Sequence, residues 1–283
     1  QWMLQEPGRT AYIGCVGSDD FAQKMKEACA RLGIATPNYV VANTEEDVDR
    51  AARELRFPLF VKHYSSYASV DLSRRSRVKT PAGLRIQAKK IMSKHGAALI
   101  EEYIDGIECT VLVAENPDDP QMPITYTPAQ YRFPKGESFK HSDLKWVDYE
   151  GLSSFPVPDP VLAERLRDEC ARFFVELKAA SFGRCDLRVD KTGTPYMLEI
   201  NANCGIYYPP ADYGSADILA NYHAGPAGEG RNVQTAVLHE LTHAVGIGHS
   251  ADEASFMHAE FGAQAQTTIA DLAALAYAGS RSC

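Results

Sequence analysis

Two groups of residues in this 283-residue chain have types and spacings that could do chemistry. The first lies within residues 183–203, GRCDLRVDKTGTPYMLEINAN. It reads as a β-hairpin. Cys185, Leu187 and Val189 alternate with Asp186, Arg188 and Asp190, a Lys-Thr-Gly-Thr turn follows, and a second strand runs through Tyr196, Leu198 and Ile200. Alternate strand residues share a face, so Asp186 lies with Arg184 and Arg188, and Glu199 lies with Asn201. Pairing the strands would bring Asp186, Glu199 and Asn201 together at one end. Two carboxylates and an amide carbonyl are hard oxygen donors. Mg²⁺ or Mn²⁺ accepts such a set and keeps its other positions for water and phosphate oxygens. An acidic, solvent-facing hairpin is the plainer reading of the same residues.

The second group lies within residues 237–250, VLHELTHAVGIGHS. Its HExxHxxGxxH spacing sets His239 and His243 four apart, on one face of a helix, where both could reach one Zn²⁺. Glu240 is placed to act as general base on a zinc-bound water. Gly246 lets the chain leave helical geometry, so that His249 supplies a third ligand. Three neutral imidazoles leave a fourth position for water, as catalytic zinc sites do. Ser250 follows the third histidine, Met257 stands eight residues beyond it, and residues 268–278 read as a closing helix. On these residues the segment resembles the metzincins, and the matrixin branch within them. The resemblance implies a zinc metalloendopeptidase with a peptide partner. It also implies a sheet ahead of the zinc helix whose edge strand binds the peptide. Few residues are left between the two groups to build that sheet.

The elements that could position the first group precede it. Residues 21–32 are helical, with Met25, Cys29 and Leu32 on one side and Gly33 after the last turn. Tyr39, Val40 and Val41 read as a short strand, and Thr44 caps an acidic-start helix to about Arg56. FPLFVK at 57–62 is a strand ending in Lys62, followed by the serine-rich loop HYSSYAS. A basic helix spans 82–94. Strands at 97–103 and 107–114 are joined by Asp105-Gly106, a hairpin-type turn signal. Residues 115–158 are loop-rich, and an amphipathic helix over 160–180 leads into the hairpin. Residues 1–20 carry no clear pattern.

In this order, KMKEACARLGIATP, FPLFVK, ALIEEYIDGIE, FKHSDLKW and RCDLRVD with YMLEIN resemble the ATP-grasp fold. Within that fold they resemble its D-alanine–D-alanine ligase-like branch, over residues 20–220. The resemblance implies a role for each matching position. Lys62 would hold the α- and β-phosphates of ATP. An earlier nucleotide lysine is expected where Lys24 and Lys26 both stand, and Lys26 is taken for it. Glu101 and the backbone around Tyr103 and Ile104 would meet the adenine, and Glu108 the ribose hydroxyls. Lys145 would stand on the phosphate side. Arg184 would steady acyl-phosphate or carboxylate oxygens, and Asp186, Glu199 and Asn201 would hold Mg²⁺. A substrate carboxylate would take the γ-phosphoryl group to give an acylphosphate, and an amine would then attack the acyl carbon. Positioning and charge neutralisation can do this work without a protein nucleophile.

The chain departs from that pattern in three places. The loop at 63–69 has no glycine, although backbone N–H groups that cover phosphate usually need one. Residues 204–210, CGIYYPP, replace the usual Pro-Gly continuation, which implies a different second-substrate pocket. The stretch ahead of residue 20 is too short for the N-terminal substrate domain of the family.

The totals bound the rest. A net charge of −8 argues against a general nucleic-acid or membrane-surface binder, and no apolar run is long enough to span a bilayer. The seven cysteines are odd in number and form no CxxC pair, which fits reduced thiols and a cytoplasmic setting. No signal peptide is visible, and a first residue of Gln1 fits a fragment or processed chain. From His223 onward there is no lysine and only two arginines, so composition marks a module boundary. The expectation is an α/β (α+β) protein. An ATP-grasp-like two-subdomain region over 1–222 is followed by a linker at 223–231 and a small helical zinc-binding segment at 232–283. The leading reading is a carboxylate–amine ligase using ATP and Mg²⁺ on an amino-acid-like substrate. The second is a matrixin-like peptidase with the ATP-grasp region as scaffold. The third is a chain that binds nucleotide and zinc without turnover.

Overall fold

The computed structural model describes residues 2–6, 9–13, 21–64, 69, 71–116, 118–146, 151–201, 204 and 214–224. The zinc motif, with His239, Glu240, His243 and His249, lies outside the described residues. The chain divides into compact units Gln1–Asn203 and Cys204–Cys283. In the second unit the described helix is Ser215–Ala224.

Strands β1 (Trp2–Glu6) and β2 (Arg9–Ile13) pair antiparallel where the sequence assigned no element. Helix α1 (Phe21–Leu32) follows, and Gly33 ends it at a φ of +67°. Next come β3 (Tyr39–Ala42), α2 (Glu45–Glu54) and β4 (Leu59–His63). Thr44 caps α2 as expected. Its hydroxyl accepts from the Asp47 N–H at 3.2 Å, and the Asp47 carboxylate accepts from the Thr44 N–H at 3.1 Å, satisfying two end donors reciprocally. The short β5 (Arg77–Val78) leads to α3 (Pro81–His95) and β6 (Ala98–Glu102). Strands β3, β6, β4 and β5 form an antiparallel sheet in that order. Val48 and Ala51 of α2 and Leu84, Ala88 and Ile91 of α3 bury its apolar side against Leu59, Val61 and Ile100.

The second sheet is larger. It comprises β7 (Gly106–Ala114), β8 (Ile124–Thr125), β9 (Ala129–Arg132), β10 (Ser153–Pro156), β11 (Phe182–Asp190) and β12 (Pro195–Asn201). The order is β10-β9-β7-β11-β12, with β8 also on β7. Short helix α4 (Ser142–Trp146) precedes β10, and α5 (Pro160–Glu176) precedes β11. Cys109, Val111, Cys185, Leu187 and Val189 of the central strands pack on Met25 and Cys29 of α1 and on Leu166 and Phe173 of α5.

Three expectations need correction. The strands at 97–103 and 107–114 are not a hairpin. β6 belongs to the four-stranded sheet and β7 to the larger one, so Asp105-Gly106 marks a crossing between sheets. The glycine answers to close approach: a Cβ on Gly106 would lie 1.9 Å from the Val189 carbonyl oxygen. In the second hairpin strand, the register slips between Asp186 and Leu187, and a bulge leaves Leu198 unopposed. Met197 and Ile200 therefore enter the core, whereas Leu198 joins Glu199 on the other face. Finally, α5 stops at Glu176, and Lys178 takes a φ of +51°.

Candidate functional site

The four-stranded sheet and the larger sheet of the first unit meet along a cleft open to solvent. The larger sheet supplies its acidic side. Register sets Thr110 of β7 and Glu199 of β12 on either side of Asp186 of β11, and sets Arg184 opposite Asn201. Three strands thus converge on one carboxylate. The Arg184 guanidinium donates to both Asp186 oxygens, at 3.0 and 2.8 Å. The Thr110 hydroxyl donates to Oδ1 at 2.8 Å, and the Asn201 amide to Oδ2 at 2.8 Å. The same amide lies 3.4 Å from Glu199 Oε1. Burial opposes ionisation of Asp186, but the charges of Arg184 and Lys140 outweigh it and hold the carboxyl well below the usual carboxylate range.

A lysine pair from two different elements holds a carboxylate of the smaller sheet. Lys26 of α1 and Lys62 of β4 take one oxygen each of Glu101 on β6, the latter at 3.1 Å. Lys62 also reaches Glu199 Oε2 at 3.7 Å, bridging the two sheets. Burial would raise the Glu101 pKa, yet the two lysines bring it down to about 2. Burial likewise works against a charged Lys62, and Glu101 and Glu199 more than offset it, raising its pKa.

The far end is aromatic. Phe60 and Phe139 meet edge to face at 5.0 Å, with Tyr103 beside them. The Tyr103 ring stacks with two guanidiniums, Arg77 at 4.1 Å and Arg188 at 4.8 Å, and its hydroxyl donates to the Ser138 carbonyl at 3.0 Å. Arg188 is buried. It donates to the carbonyls of Ile104, Gly106 and Ser138 and to Glu108 Oε2 at 3.0 Å.

The residues singled out from sequence fall into three sets. Lys62, Glu101, Tyr103, Glu108, Arg184, Asp186, Glu199 and Asn201 all line the cleft. Lys26 and Ile104 do not. Lys26 lies behind Glu101, with its ammonium donating to the Thr36 hydroxyl at 2.8 Å. Two backbone groups expected to face a base are already used, because the Tyr103 N–H donates to the Pro58 carbonyl at 2.9 Å and the Ile104 carbonyl accepts from Arg188 at 2.6 Å. Lys145 belongs to α4, and its side chain lies outside the described residues, as do all the zinc-motif residues. Sequence reasoning missed Phe60, Thr110, Phe139 and Lys140. Phe60 stands two before Lys62 and so shares its strand face, a legible signal. Thr110 needed the β7–β11 register, and Lys140 sits in irregular chain with no period to read.

Among the described residues, no group of three or more His, Cys, Asp or Glu side chains could hold a metal ion. The Asp186, Glu199 and Asn201 set has two carboxylates and one amide, joined by that amide. As oxygen donors they suit a hard cation that takes its other ligands from water and phosphate. Among the described residues, too, no helix is long and apolar enough to cross a membrane.

Comparison with known proteins gives a consistent result. The family model for the D-ala D-ala ligase C-terminus matches residues 29–208. An uncharacterised protein, y4sG of Sinorhizobium fredii, is 32% identical over 201 residues, covering 68% of this chain and 54% of that protein. A D-alanine–D-alanine ligase of Cupriavidus necator is 25% identical over 215 residues, covering 73% of this chain and 62% of the ligase. The solved structure of an L-amino acid ligase from Bacillus licheniformis superposes with a TM-score of 0.56 at 18% identity, covering 79% of this chain and 46% of that one. The chain spans about half the length of the curated relatives it matches.

Proposed function

This chain belongs to the D-ala D-ala ligase C-terminus family, and we propose that it acts as an ATP- and Mg²⁺-dependent carboxylate–amine ligase on an amino-acid-like substrate. Its mixed α/β fold, with antiparallel sheets, is ATP-grasp-like. One observation carries the functional reading. Asp186, Glu199 and Asn201 converge in the same cleft as Lys62 and Arg184, and that cleft ends in Phe60, Phe139 and Tyr103.

In this reading the aromatic end takes the flat base, with Glu101 and Glu108 on the base and ribose side. Lys62 takes phosphate oxygens, and Lys145 is the further lysine on that side. Lys26 acts through Glu101, fixing that carboxylate. Asp186, Glu199 and Asn201 hold Mg²⁺, which supplies charge neutralisation for the triphosphate when bound. Arg184 sits at the acidic end with its guanidinium already aligned, ready to steady the transferred group. The substrate carboxylate attacks the γ-phosphorus, the bond to the ADP oxygen breaks, and an acylphosphate forms. An amine then attacks the acyl carbon and phosphate leaves. The ordering of these side chains before substrate arrives favours positioning as the main source of rate. Buried thiols at Cys29, Cys109, Cys170 and Cys185 favour a cytoplasmic setting for this enzyme. The direct test is ADP release that depends on an added amino acid. Glu199→Ala should abolish it, and unchanged release would refute the assignment.

The spacing of His239, Glu240, His243 and His249 favours a second reading for the segment 232–283, beyond the linker at 223–231. Three imidazoles bind Zn²⁺ there, with Glu240 as base for cleavage of a peptide bond. Stoichiometric zinc in the purified protein, lost on replacing His243 by Ala, supports it. Peptide cleavage lost with Glu240→Ala would extend it to turnover.

A further inference from the structure

We propose that Lys140 is a phosphate-contacting residue of the cleft, its ammonium donating to the polyphosphate oxygens of the bound nucleotide. The inference rests on the nucleotide reading above and adds a residue to it.

Lys140 lines the cleft, and its side chain is only 13% exposed. An ammonium has three N–H donors. Among the described residues, the three on Lys140 make no hydrogen bond. The nearest anion is Glu108 Oε1, at 3.5 Å, and the Tyr131 ring centroid lies 3.6 Å away. These contacts hold charge without using donors. Glu108 does not need Lys140 as its counter-ion, because Arg188 is already bonded to it at 3.0 Å. Lys62 is the contrast: its ammonium already lies 3.1 Å from Glu101 and 3.7 Å from Glu199, with donors left over for a ligand.

The chain around Lys140 fixes where that ammonium stands. The Ser138 carbonyl accepts from Tyr103 and Arg188, and the Phe139 ring packs on Phe60. His141 is 3.1 Å from Glu137 and accepts from the Leu144 N–H. With neighbours on both sides pinned, the side chain is aimed into the cleft at little further entropic cost. Burial works against its charge, but Tyr131, Asp186 and Glu108 keep its pKa raised. The result is a charged, enclosed cation with unused donors beside the acidic corner. Anionic oxygens brought by a ligand meet all three conditions. A carboxylate substrate and a nucleotide both carry such oxygens, and the nucleotide is favoured because the same cleft continues to the aromatic end.

The test compares binding of MgATP and of adenosine to the whole chain, with and without Lys140→Met. ATP affinity should fall at least about tenfold, the loss of one charge-assisted hydrogen bond. Adenosine affinity should stay within about twofold, and Lys140→Arg should recover most of the ATP affinity. An equal fall for both ligands would mean a structural role only, and no fall for ATP would remove Lys140 from the phosphate site. Either result overturns the proposal. Should Lys140→Met not fold, amine labelling of the wild-type protein decides the question. Protection of Lys140 by ATP and not by adenosine supports the contact, and equal labelling overturns it. A wild-type chain that binds no nucleotide defeats the nucleotide reading itself, an outcome separate from any effect of the variants.

Discussion

Glu101 and Asp186 are both buried carboxylates held ionised by cations, yet their surroundings differ in kind. Glu101, on the smaller sheet, has a lysine on each oxygen, and one of those lysines is itself out of the cleft. Asp186, on the larger sheet, shares Asn201 with Glu199, and the Glu199 side chain is 34% exposed. A closed ion triad orders a strand, whereas an acid with a partly exposed acidic neighbour is poised to meet something else. Both carboxylates line the cleft, but the lysines hold Glu101 more firmly in place, whereas in the proposed reading Asp186 has its main task at the metal.

Substitutions should separate these two roles. The largest effect on turnover is expected at the ligand-facing corner. Asp186→Asn should lower amine-dependent ADP release by at least about 100-fold, measured at saturating Mg²⁺. Activity within about threefold of wild type would erase the distinction. Glu101→Gln should act chiefly on stability, at about 3–5 kcal/mol in urea unfolding, because it strands buried lysines.

The acid response of that variant sharpens the point. The folded pKa of Glu101 is about 2, below its ordinary 4.5, so its contribution is fully present above pH 4.5 and is lost as the pH falls toward 2. Wild type should weaken over that window, and Glu101→Gln should weaken less steeply. Parallel acid profiles would count against the closed triad. A smaller effect is expected at Thr110→Val, which removes one donor from Asp186. Stability should fall by about 1 kcal/mol, with a higher Mg²⁺ concentration needed for half-maximal rate. The smallest test is the control Thr44→Ala. Loss of that helix cap should cost about 1 kcal/mol with no change in the Mg²⁺ requirement.

Much of the acidic corner was legible because β11 is regular. Cys185, Leu187 and Val189 alternate with Asp186 and Arg188, and the strand is paired on both sides. β12 was harder. Its bulge at Leu198 shifts the alternation by one, so a period-two reading set Leu198 with Tyr196 and Ile200 and overlooked Met197. Asp105-Gly106 looked like a turn because a residue-type signal cannot distinguish a left-handed glycine from one that admits a neighbouring backbone. The cation nearest Glu108 was invisible for a different reason. Lys140 is placed by contacts from Tyr103, Phe60 and Arg188, all far away in sequence.

Tyr103 has a mechanical consequence. Arg77 belongs to one sheet and Arg188 to the other, and the phenol ring lies against both while its hydroxyl is fastened to Ser138. Tyr103 follows β6, so tilting one sheet against the other would have to pull Arg188 off the ring and break the hydroxyl's hydrogen bond at once. The ring works as a rivet between the two sheets at the aromatic end of the cleft.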